Sequence, residues 1–167
     1  KRLRKGRLSA DDALVTLAMA ILGPDYSNLD VTFHDFRLAR NWNLLSSAHI
    51  WGTPDRLVQE GYFLLNKEGL LGPDHNVVHG NYLGDEELRI IVGAGASITA
   101  TPTVELQKHP VETMTGRVLA VGGRPSIGAD IEIYAGGDMF HVMRFSLQAQ
   151  RIFDNLRYAA SGQNGEK

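Results

Sequence analysis

Five apolar runs recur along the chain, each closed by a polar turn and followed by a segment of helical spacing, and that alternation marks parallel strands joined by crossover helices. The runs cover 14–21, 44–49, 76–79, 96–101 and 125–130. Behind the first, Leu29, Phe33, Phe36, Leu38 and Ala39 give a helix its apolar side; behind the second, Leu57, Val58, Tyr62 and Leu65 do so over 55–65. Asp85-Glu86-Glu87 puts acid in the first turn of the third helix, where the macrodipole favours it, and Gly93 or Gly95 ends that helix. Met114, Val118, Leu119 and Val121 mark a fourth helix. Met139, Phe140, Met143, Leu147, Ile152, Phe153 and Leu156 continue a long last helix.

The expected class is α/β with about five βα units. Five units do not close an eight-stranded barrel, and a half-barrel left open would expose a sheet edge and an apolar interior. Three resolutions stay open: strands from missing chain, strands from a partner chain, or an open doubly wound sheet. No Pro/Gly/Ser linker divides the sequence, so 1–167 reads as one domain with a basic arm over 1–10 and a polar tail over 160–167. The chain opens in mid-pattern without a start methionine, which reads as a piece of something longer.

Charge and composition narrow the partner. With 17 Lys and Arg against 19 Asp and Glu, no overall field would hold the chain on nucleic acid or an anionic membrane, so a small molecule is expected. The longest apolar stretch, 14–22, is nine residues, far below the roughly 20 that span a bilayer. There is no cysteine, so any metal must be held by imidazole and carboxylate, and a cytoplasmic location fits. The Gly93-Ala94-Gly95 segment is not a dinucleotide turn: Ile98 stands where a third glycine is needed, and the order is helix, glycine, strand, the reverse of a Rossmann turn.

In parallel α/β proteins ligands lie at the carboxyl ends of the strands, so the residues closing each apolar run are the candidates. They are His49, His79, Thr101 and Asp130. Taken singly, each has a plainer role, a hydrogen-bonded histidine or a turn-capping aspartate. Together, two imidazoles and a carboxylate at neighbouring strand ends suit a divalent metal, with the carboxylate able to take a proton from activated water. His34, His75 and His141 read as structural or solvated. His109 reads as structural too, although its loop follows a strand end.

The segments His79-Gly80-Asn81-Tyr82-Leu83-Gly84-Asp85-Glu86-Glu87-Leu88, Gly95-Ala96-Ser97-Ile98-Thr99-Ala100-Thr101-Pro102, Ser126-Ile127-Gly128-Ala129-Asp130 and Asp138-Met139-Phe140-His141-Val142-Met143-Arg144, in this order, resemble the amidohydrolase superfamily, in its cytosine-deaminase and chlorohydrolase-like branch. The resemblance implies a partial TIM (β/α)8 barrel, its strands four to eight, and a zinc ion, with iron as the second choice. It implies that His49 is the fifth-strand metal ligand, His79 the sixth-strand histidine at the attacking water or substrate, and Asp130 the eighth-strand aspartate that binds metal and shuttles the proton. Thr101, Glu105 and His109 then become substrate-binding candidates.

Three departures accompany it. The family's first-strand His-x-His pair is absent, as expected if strands one to three lie outside this chain. Gly52 replaces the glutamate that follows the fifth-strand histidine, and Ala100 replaces a seventh-strand histidine. The expected function is metal-dependent hydrolysis of a C–N or C–halogen bond, incomplete in this chain alone and completed by the missing N-terminal strands or a partner chain; a homo-oligomer is allowed. A non-catalytic, degenerate half-barrel that binds a ligand or partner is the alternative.

Overall fold

The computed structural model describes residues 6, 8, 10, 12, 14–109 and 111–162, so most of the basic arm and most of the polar tail lie outside the described residues. The order is β1 (Ala18–Ile21), α1 (Gly23–Tyr26), α2 (Leu29–Asn41), β2 (Leu45–Ile50), α3 (Gly61–Lys67), β3 (His75–His79), α4 (Asp85–Gly93), β4 (Ser97–Ala100), α5 (Pro102–Lys108), α6 (Met114–Ala120), β5 (Ser126–Ile127) and α7 (Met139–Ala160). All neighbouring strands are parallel, and their spatial order is the chain order, β1-β2-β3-β4-β5.

That order decides between the open alternatives. A doubly wound sheet reverses direction once and binds its ligand at the reversal. Here each crossover steps the same way, so the sheet is an arc of a barrel and the doubly wound alternative falls away.

Register gives the arc two distinct faces. Ala48, Val77 and Ile98 lie side by side and are buried against the helices, with Ile21, Ile50, Ala100, Phe36, Tyr62, Leu65, Leu88, Ile91 and Met114. A fully buried Leu or Ile of this kind contributes about 1.5–3 kcal/mol. The other face carries Ala20, Leu45, Ser47, His49, Asn76, Val78, Ser97, Thr99 and Ser126, all partly or fully exposed. The apolar interior expected of an open half-barrel is reduced on this face to Ala20, Leu45 and Val78, and its centre is polar. Its groups satisfy one another across four strands. Asn76 donates to Ser47 Oγ at 3.1 Å, Ser97 and Thr99 donate to Asn76 Oδ1 at 2.9 and 3.0 Å, and the Thr99 and Ser126 hydroxyls meet at 2.7 Å.

Two helices depart from expectation, and the last one turns its small residues to the core. Residues 55–60 are loop, not helix, because the segment is tied inward: Leu57 and Val58 N–H groups donate to Asp25 and Pro24 carbonyls, and Arg56 pairs with Glu87. Leu57, expected inward, is exposed. Pro102 at the first turn of α5 starts a helix where none was expected, in the position proline favours. In α7 the buried residues are Val142, Ser146 and Ala149, whose small side chains admit close packing; Phe140, at 77% exposure, and Met143, Leu147, Ile152 and Leu156 face outward.

Candidate functional site

The carboxyl ends of β2, β3 and β4, with the loop after β5, form one mouth. His79 sits at its centre and is buried. The His49 ring centroid lies 5.5 Å away, and Asp130 Oδ2 lies 3.9 Å from His79 Nε2 with the Asp130 side chain 19% exposed. Thr101 Oγ1 is 3.0 Å from His79 Nδ1. The four strand-end residues selected from sequence are thus brought together.

The backbone there is unusual. Among the described residues, the non-glycine residues with positive φ are Asn43, His79 (φ 70°) and Asp130 (φ 66°). A histidine in the left-handed region costs about 1–2 kcal/mol, and such conformations persist where surrounding contacts over-determine them. At the end of β3 this turn carries the His79 ring to the mouth, although 75 and 77, at the same strand parity, face the helices.

Glu105 and His109 occupy a second ring of contacts. The Glu105 side chain is fully buried; its Oε1 accepts from the Thr101 N–H at 2.7 Å and lies 3.5 Å from His79 Nδ1, while Oε2 accepts from Asn81 Nδ2 at 3.2 Å. His109 Nδ1 meets the Tyr82 hydroxyl at 3.0 Å and its ring lies 4.2 Å from Trp51. Partial burial, with Lys108 and His79 nearby, pushes the His109 pKa down and favours the neutral ring.

Trp51, Asn81, Tyr82 and Asp25 were not selected from sequence. The Trp51 ring stacks on His79 at 4.1 Å with 4° between planes. Asp25, in α1, holds that loop by accepting from the Trp51 and Gly52 N–H groups at 2.8 and 2.9 Å, and burial raises its pKa. The Tyr82 N–H donates to the Trp51 carbonyl at 2.8 Å, joining the two loops. The available signal was position: 51, 81 and 82 each lie within three residues of a histidine that closes a strand. His75, by contrast, opens β3 and is wholly internal, between Ser46 Oγ at 2.9 Å and the Tyr62 hydroxyl at 3.2 Å.

Gly52, where the resemblance expects an acid, has φ 77°, and a Cβ there would lie 2.7 Å from the Leu83 amide nitrogen. The backbone itself leaves no room for a side chain. Among the described residues, no three His, Asp or Glu side chains are placed to hold one ion, and no helix is long and apolar enough to cross a membrane.

No family model matches the sequence, and no curated protein does. Solved structures do match. An adenosine deaminase from Xanthomonas campestris with bound zinc is 20% identical, with a TM-score of 0.74 over 87% of this chain and 35% of that one. A guanine deaminase from C. acetobutylicum with guanine in its active site is 17% identical, with a TM-score of 0.73 over 93% of this chain and 39% of that one. An atrazine chlorohydrolase from Arthrobacter aurescens complexed with zinc is 16% identical, with a TM-score of 0.64 over 81% of this chain and 32% of that one. The chain thus spans about a third of the length of the structures it matches. In fold, it is a five-stranded parallel α/β arc that matches about a third of each of those enzymes.

Proposed function

We propose that the chain supplies the C-terminal half of the active site of a cytosolic, metal-dependent hydrolase of the amidohydrolase type, acting on a C–N or C–halogen bond of a small molecule. The observation that carries this is the meeting of His79 and Asp130 at one mouth, each in left-handed backbone. The zinc and guanine named for the similar structures support it.

The donor set fits a divalent metal by type: imidazole and carboxylate are ligands that zinc takes readily, and iron also. The donors do not complete a shell. His49 and Asp130 would hold the metal together with ligands from further strands, in the same polypeptide or in a partner chain, which includes a second copy of this one. When bound, the metal supplies the polarisation that makes water a nucleophile near neutral pH. The chain's own residues do the rest. Asp130 takes the proton released by the attacking water, and His79 hydrogen-bonds that water or the substrate. Trp51 shields one face of the His79 ring, and Thr101 and His109 border the substrate.

Elemental analysis of the full-length protein tests this. We expect stoichiometric zinc or iron, lost in His49→Ala and in Asp130→Ala, and little metal or turnover with this chain alone. Metal-free full-length protein overturns the proposal. That outcome favours the alternative, a degenerate half-barrel that binds without catalysis, for which the closed backbone at Gly52 is the supporting observation.

A further inference from the structure

Glu105 is a buried carboxylate with no exposed atom to offer a substrate. The groups around it are donors. Thr101 N–H lies 2.7 Å from Oε1, and the Asn81 amide 3.2 Å from Oε2. A carboxylate buried in low dielectric is tolerated where hydrogen-bond donors surround it. The remaining neighbour is His79 Nδ1, 3.5 Å from Oε1 and 3.0 Å from Thr101 Oγ1. A lone pair on Nδ1 would face the fully buried Glu105 carboxylate at 3.5 Å, nearer and less screened than the part-exposed Asp130 carboxylate that faces Nε2 at 3.9 Å, so the repulsion is greater on the Nδ1 side. A hydrogen there is attracted by the carboxylate and accepted by the threonine hydroxyl. Trp51 lies flat against the ring at 4.1 Å and holds its plane.

We infer that Glu105 is a positioning residue for His79: acting with Thr101, it keeps the ring hydrogen on Nδ1 and so turns an unprotonated Nε2 toward Asp130 and the mouth. The tautomer of a histidine is set by the partner of its other nitrogen, here on the side away from the mouth. Under the hydrolytic proposal, on which only this consequence rests, His79 then receives a hydrogen from water or substrate and does not donate one. Glu105 thereby moves from the substrate-binding candidates to the support behind the site.

Long-range 1H–15N NMR of the metal-free protein, with its histidine rings labelled and His79 assigned by the signals lost in His79→Gln, reads the tautomer directly. The expected result is hydrogen on Nδ1, shifting to a mixed population or to Nε2 in Glu105→Gln. Hydrogen on Nε2 in the unmodified protein overturns the inference, as does a Glu105→Gln spectrum with the tautomer unchanged. Should Glu105→Gln fail to fold, Thr101→Val retains the carboxylate and must keep hydrogen on Nδ1; a switch to Nε2 there would assign control to the hydroxyl alone. The spectra need neither metal nor turnover, so they stand apart from the elemental analysis: either result can fail without the other.

Discussion

Asp130 illustrates at single-residue scale how a site opposes stability. Its φ of 66° lies in the left-handed region that favours glycine, and His79 Nε2 lies 3.9 Å from its carboxylate. Asp130→Gly should therefore raise stability by about 1 kcal/mol, the strain relieved, while abolishing metal uptake by the full-length protein. Urea midpoints at unchanged slope check the first part; a loss of stability would mean that the aspartate supports the fold. Gly52 gives the converse case. Gly52→Glu, which supplies the acid that the sequence resemblance implies there, places a side chain at positive φ and within 2.7 Å of the Leu83 backbone. It should cost about 1–3 kcal/mol and bring back no activity, read by thermal unfolding and turnover together.

His75 carries a prediction about pH. Burial holds its pKa down to about 3, from an ordinary 6.5. The folded ring stays neutral where the unfolded one is charged, so the unfolded state binds the extra proton between those values. Stability from this group is complete above pH 6.5 and is lost as pH falls toward 3, with a slope of up to about 1.4 kcal/mol per pH unit. Asp25 and Glu87, raised by burial, contribute slopes of the opposite sign, so the comparison must be with a variant. His75→Phe, which keeps an aromatic ring against Phe36, should flatten the profile between pH 5 and 6.5 in urea unfolding series. An unchanged slope would relocate the titration to another group.

At the scale of elements, the loop between β2 and α3 is the part that charge builds. Arg56 Nη2 meets Glu87 Oε2 of α4 at 2.9 Å, with side chains only 8% and 3% exposed. Breaking one partner of a buried pair strands the other, so Arg56→Ala should cost about 3–5 kcal/mol, whereas Arg56→Met with Glu87→Leu together should recover most of it. A double-mutant cycle in guanidinium gives the coupling. This pair also explains why the periodicity of Leu57, Val58, Tyr62 and Leu65 misled: the first two share helical spacing but not a helix. The α7 helix was legible in extent and not in orientation. Its small residues, Ser146 and Ala149, face in, and its large ones face out.

For the whole molecule, the open arc has two edges and an inner face that is exposed and polar at its centre. β3, flanked on both sides, should hold its amides longest in hydrogen exchange, and β1 and β5 should exchange fastest in this chain alone. In the full-length protein the edge amides should become protected. Edges that remain fast there would mean that no further strands pair with them.

The chain's sequence by itself determined the βα alternation and the strand-end positions of His49, His79, Thr101 and Asp130, because both are local: hydrophobic period and the residue that ends each run are written in consecutive letters. Tertiary structure alone decided that the strands step one way around an arc, that the centre of the inner face is polar, and that Trp51, Asn81 and Glu105 close around His79. Those facts depend on contacts between residues 20 to 60 positions apart, for which no short pattern carries a signal, and on backbone angles that a histidine and an aspartate adopt only when the packed mouth imposes them.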